Sequence, residues 1–153
     1  RGTFTQYYGS QELDAALLLI PAVGFLPASD ERVAGTIAAI ERELCPAGFV
    51  QRYTMTERTQ QLDGLPPGEG AFLPCTFWLA DAYVLAGRRD DGRAAFERLL
   101  RLRNDLGLLS EEYDVGAERL VGNFPQALSH LALVNTALDL ESDAGPSHRR
   151  STP

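Results

Sequence analysis

AFLPCTFWLADAYVLAGRRDDGRAAFERLLRLR, residues 71–103, holds two helical patterns separated by a glycine. In the first, Phe72, Thr76, Leu79 and Tyr83 recur at the spacing of one helix face, and Gly87 supplies a stop. The spacing predicts a helix over about 71–86. The second pattern predicts one over about 90–103, with Ala95, Leu99 and Leu102 on an apolar face and arginines and acids opposite. Two helices joined by so short a link pack antiparallel, as a helical hairpin.

The same logic extends upstream. A first helix is predicted from Ser10 or Gln11 to Val23, with Leu13, Leu17 and Ile20 on one face, Gly24 as its stop and Asp14 as a capping charge near its start. A second begins after Ser29 or Asp30 and turns Val33, Ile37, Ile40 and Leu44 toward a core. Downstream, Asn123 reads as the N-cap of a fifth helix, with Gln126 completing a capping box. Its apolar face is Phe124, Ala127, Leu131, Val134 and Ala137. Two segments without a sustained period, 46–70 and 104–122, separate these units and read as long loops, the usual seat of function. Residues 1–140 thus form one domain, and 141–153, polar and rich in Pro, Gly and Ser, a disordered tail. Strand signals are weak and no repeat of fixed period is visible, so the fold class is all-α: a ring or stack of hairpins rather than a repeat solenoid.

Composition removes several functions. The 153 residues carry a formal charge of −7, and every one of the 14 basic residues is arginine. Without lysine there is neither Schiff-base chemistry nor a phosphate-binding P-loop. An acidic chain without a basic patch argues against nucleic acid as partner. Cys45, Cys75, His130 and His148 are too scattered for a metal site, so no metal or cofactor is expected, and the cysteines read as buried thiols rather than a disulfide. Pro21, Gly24 and Pro27 interrupt the longest apolar run, which argues against a membrane span. No secretory pattern is visible, making the cytoplasm the default location. Carboxylates remain for acid–base work, with arginine and aromatics for binding.

Five pieces of the chain, in order, carry a resemblance: LDAALLLIPAVGFLPASDERVAGTIAAIERELC, FVQRY, DGLPPGEGAFLPCTFWLADAYVLAG, LRNDLGLLSEEYD and GNFPQALSHLALVNTA. Together they resemble the C-terminal part of the catalytic domain of glycoside hydrolase family 15, the glucoamylase-like enzymes, whose bacterial members include some trehalases. The resemblance implies part of an (α/α)6 barrel, about five of its twelve helices, with the missing N-terminal part of the same barrel as partner. It also implies hydrolysis of α-glucosidic bonds with inversion, which needs a general acid and a general base far enough apart to admit water. Glu111, in LLSEEYD, falls at the family's base, and Glu112 at a neighbouring position. The family's acid lies upstream in a Trp–Glu motif that is absent here, where Trp78 is the only tryptophan. Arg52 falls where family members grip sugar hydroxyls, a task suited to a planar guanidinium, with Tyr53 as a platform beside it. Glu69, between Gly68 and Gly70, falls at the pocket rim as a substrate contact.

Other residues read structurally. Trp78 is expected to pack in the core, and His130 to be a hydrogen-bonded core or rim residue. Tyr7 and Tyr8 could line a pocket mouth or serve the fold. Half a barrel would leave faces such as Leu13, Leu17 and Ile20 without partners, so the chain alone should aggregate and not turn over an α-glucoside. The competing reading is a non-catalytic module of α-helical hairpins, which has no need of loops bearing Arg52, Glu69 and Glu111 on one face.

Overall fold

The computed structural model describes residues 2–54 and 70–142. A 3-10 turn, Ala15–Leu18, runs into the short helix α1 (Leu19–Ala22), and α2 (Glu31–Glu43) follows. Strand β1 (Ala71–Phe72) leads into α3 (Leu73–Leu85), then α4 (Arg89–Leu100), the strands β2 (Glu112–Asp114) and β3 (Arg119–Val121), and α5 (Ala127–Glu141). The cap predicted at Asp14 is present: its carboxylate accepts from the Ala16 amide at 2.8 Å. The helical stretch nevertheless starts later than the periodicity suggests. Asp14 is extended and bridges to Tyr53, while the Ala15 amide donates to the Arg52 carbonyl at 2.8 Å. Asp30 caps α2 as expected, and Val33, Ile37, Ile40 and Leu44 are all buried.

The opening hairpin of the sequence is α3 and α4, and α3 organises the molecule. Its Cys75, Leu79, Ala82 and Tyr83 join the cluster built by the first two helical stretches. Its Leu73 and Phe77 join a second cluster with Leu99, Leu109 and Ala132. A helix packed on both sides has no solvent face to mark with charge, which explains why its sequence is apolar all round. Gly92 lets α4 lie close, since a Cβ there would stand 2.9 Å from Val84 and 3.0 Å from the Ala80 carbonyl.

Three expectations are corrected. Residues 104–122 are not all loop: β2 pairs antiparallel with β1 and β3, with Phe72 opposite Glu112 and Tyr113 opposite Leu120. Strands of two or three residues are too short to leave a period in the sequence. Second, α5 begins at Ala127 with Gln126 as its cap, accepting from the Leu128 amide, because the Asn123 side chain is bound elsewhere. The face predicted to be buried is also turned outward: Phe124, Leu131 and Val134 are 51%, 61% and 52% exposed, whereas Ser129, Ala132, Thr136 and Leu140 meet the core. Third, Leu13, Leu17 and Ile20 are not stranded but pack against α2 and α3.

Cys45 and Cys75 are free thiols; Cys75 is buried as expected, whereas Cys45 is only partly so. Trp78 is half-buried against the first cluster, edge-on to Phe72. No helix among the described residues is long and apolar enough to cross a membrane. Glu69, His148 and all of the tail beyond Ser142 lie outside the described residues.

Candidate active site

Around LLSEEYD the backbone is tied down at every step. The Leu109 amide donates to His130 Nε2 at 3.3 Å, and the Leu109 carbonyl accepts from the Gln126 amide at 3.0 Å. With Nδ1 of the same ring 2.7 Å from the Gln126 carbonyl, these partners require the His130 tautomer with its hydrogen on Nδ1. Buried Ser129 donates from Oγ to the Ser110 carbonyl at 2.7 Å, and Ser110 Oγ donates to the Glu112 carbonyl at the same distance. The Glu111 amide donates to the Asn123 carbonyl at 2.9 Å, and its own carbonyl accepts from the Leu73 amide at 3.0 Å. That last donor opens α3, where helical amides otherwise lack intrahelical partners. The position of Glu111 is thereby set by α3 on one side and by the approach to α5 on the other.

The two glutamate side chains diverge. Glu112 Oε2 accepts from the Gly70 amide at 2.9 Å, toward β1. Glu111 Oε2 accepts two bonds from Asn123, one from its amide at 3.0 Å and one from Nδ2 at 2.8 Å. Gly122 makes room for this contact. It has φ +77°, and a Cβ built on it would stand 2.9 Å from Glu111 Cβ and 3.1 Å from Oε2. Only glycine takes that backbone conformation without a penalty.

Arg52 reaches the same end of the molecule. Its guanidinium carbon lies 5.2 Å from the Tyr53 ring centroid and 5.7 Å from that of Phe72, cation–π distances in both cases. Phe72 in turn is the strand partner of Glu112. Sequence-distant Arg52, Glu111 and Glu112 thus gather beside the start of α3. Tyr53 is buried, with Arg52 over its ring. Tyr8 is fully exposed and Tyr7 largely so, on a segment tied back by the Gln6 amide to the Glu12 carbonyl.

The sequence reading missed the supports: Asn123, Gly122 and Ser129. Asn123 was legible only as a helix cap, and nothing local in sequence links it to a carboxylate twelve residues earlier.

Helices packed around α3, with a short sheet beside the fixed carboxylate of Glu111, are an arrangement of the helical-barrel class. Solved glycosidases share the fold: a wild-type structure superposes with a TM-score of 0.75 at 21% identity, covering 92% of this chain and 39% of that one. A glycosidase variant in complex with glucose gives 0.75 at 20%. The description Glycosyl hydrolases family 15 matches residues 1–138, and the chain belongs to that family. Its helices are accordingly part of an (α/α)6 barrel. The trehalase of Thermoplasma acidophilum is 46% identical over 139 residues, which are 91% of this chain and 23% of that protein. The trehalase of Mycobacterium tuberculosis is 45% identical over 138 residues, 90% of this chain and 20% of the relative. The chain therefore spans about a fifth of the length of these curated relatives.

Proposed function

We propose that this chain is the C-terminal portion of an inverting glycoside hydrolase that cleaves α-glucosidic bonds, with trehalose as the first substrate to test and maltooligosaccharides as the second. The observation that carries the reading is Glu111, whose backbone and carboxylate are both fixed beside the start of α3. The family match over residues 1–138 and the identity to two trehalases support it. Glu111 acts as general base on the attacking water, the role an inverting mechanism assigns to one of its two carboxylates. Arg52 and Tyr53 contact the sugar, and Glu69 serves as a further substrate contact at the rim. The general acid comes from the part of the barrel outside this chain, so the chain alone does not turn over substrate. That same part covers the exposed stripe of α5. Free thiols at Cys45 and Cys75 suit the cytoplasm as compartment.

The test expresses the complete polypeptide and its Glu111→Gln variant and assays both on trehalose and maltooligosaccharides, following the product anomer by NMR. Release of β-glucose by the parent, with a rate loss of about 100-fold or more in a folded variant, is the expected result. A variant that keeps its activity removes Glu111 from the mechanism. A parent that cleaves neither sugar overturns the function.

A further inference from the structure

Three contacts join Asn123 to Glu111. The Asn123 carbonyl accepts from the Glu111 amide, and the Asn123 amide and Nδ2 both donate to the Glu111 carboxylate. Both side-chain bonds fall on the same oxygen, Oε2, and among the described residues none falls on Oε1. The asymmetry is built rather than accidental. Asn123 follows Gly122, whose left-handed backbone and missing Cβ allow the carboxylate to reach Oε2-first into the turn. Gln126, three residues on, takes over the helix cap that Asn123 would otherwise provide.

We infer that Asn123 is a positioning residue for the hydrolysis, holding Glu111 by Oε2 so that Oε1 is the oxygen that takes the proton from water. The inference rests on Glu111 being the base. In the step it serves, the water oxygen forms a bond to the anomeric carbon and one water proton passes to Oε1. The glycosidic bond breaks, and its oxygen leaves with a proton from the general acid. Two donors on Oε2 stop the carboxylate from rotating, so the basic lone pair on Oε1 stays directed at the water. The side-chain bond supplies a part of this that substitution can remove, whereas the backbone amide stays.

The charged or titratable groups on the elements around Glu111 are few. Glu112 and Asp114 share its strand region, with Glu112 turned to the Gly70 amide. Arg119 lies on β3, paired loosely with Asp114 at 4.0 Å, and His130 on α5 is committed to Leu109 and Gln126. None of these groups bonds to the Glu111 carboxylate, so Asn123 is its principal partner among the described residues.

The experiment uses the complete polypeptide, on whichever of trehalose and maltose the parent cleaves, with Asn123→Ala, Asn123→Asp and Glu111→Gln side by side. Asn123→Ala is expected to lower kcat by about 10-fold with KM nearly unchanged, the loss expected for one charge-assisted bond in a half-exposed site. Its unfolding temperature stays close to that of the parent, so the loss falls on kcat and not on the fold. Asn123→Asp, which sets a second carboxylate against the first in place of a donor, is expected to lower kcat further. An Asn123→Ala variant with unchanged kcat overturns the inference, and so does one whose kcat falls only in step with its unfolding temperature, because a purely structural role has that signature. Full activity in Glu111→Gln overturns the base assignment itself and the inference with it. An inactive Glu111→Gln beside an Asn123→Ala of unchanged kcat overturns only the role of Asn123.

Discussion

Leu131→Ala in the complete polypeptide tests whether the outward face of α5 is a surface or a seam. Leu128, Leu131, Val134 and Leu138 line one side of that helix and are 54%, 61%, 52% and 43% exposed, an apolar stripe on the last of the described helices. Full burial of a leucine side chain stabilises by about 1.5–3 kcal/mol relative to water. The 61% of Leu131 still open here therefore represents roughly 1–2 kcal/mol that a covering helix would realise. Truncation adds a term for the cavity left behind, so Leu131→Ala in a covered stripe is expected to destabilise by about 2–3 kcal/mol. In an uncovered stripe the same change stays within about 0.5 kcal/mol. Thermal unfolding of parent and variant separates the two, with a fall of a few degrees expected for the seam. Leu131→Glu should go further and prevent folding, since it places a carboxylate against apolar neighbours without a partner. An unchanged unfolding temperature in Leu131→Ala, together with a folded and active Leu131→Glu, would show that nothing covers α5.

Two further outcomes follow from local geometry. Gly122→Ala forces a left-handed backbone on alanine, costing about 1–2 kcal/mol, and drives its Cβ into Glu111. Gly107→Ala imposes a similar backbone penalty at φ +81° but meets nothing within 4 Å, so the two variants should unfold at similar temperatures while only Gly122→Ala loses most of its hydrolytic rate. Equal activity in the two would sink the steric reading. Just past the C-terminal end of α3, Arg88 grips Glu41 with two bonds at 3.0 and 3.1 Å and stacks 4.2 Å over Tyr83, whose hydroxyl donates to the same carboxylate at 2.7 Å. Burial alone would raise the Glu41 carboxyl, but the bonds from Arg88 and Tyr83 outweigh it and hold it below its ordinary 4.5. A lowered carboxyl stabilises the fold fully above that ordinary value, and the contribution is lost as pH falls through the lowered one. Arg88→Ala should therefore cost roughly 1 kcal/mol at neutral pH, because the pair is half-exposed and screened, and progressively less in acid. A loss of the same size at all pH values, read from denaturant midpoints, would remove Glu41 from the account.

The helices were legible because helix formation is local. A 3.6-residue period, Asp14 and Asp30 as caps and Gly87 as a stop all act within one or two turns, and each took its expected part. The family was legible for another reason: its motifs are strings of residues, and they offered Glu111 and Arg52 as candidates before any coordinate. What the period could not tell was what each face meets. The stripe predicted along α3 became one sector of a helix buried on all sides, because α1, α2, α4 and α5 surround it. On α5 the choice between Leu131 and Ala132 as the inward residue depended on which neighbours this chain supplies, and the larger side chains were left outside. Strands of two and three residues have no period to read, and they exist only because β1 and β2 meet across a separation of some forty residues. Asn123 shows the limit most plainly. Its sequence context specifies a polar side chain near a helix start, and the nearest orphan amides make capping the local answer. Tertiary structure set the Glu111 carboxylate 2.8 Å from its Nδ2, and a charged acceptor at that distance outcompetes a neutral amide for one side chain.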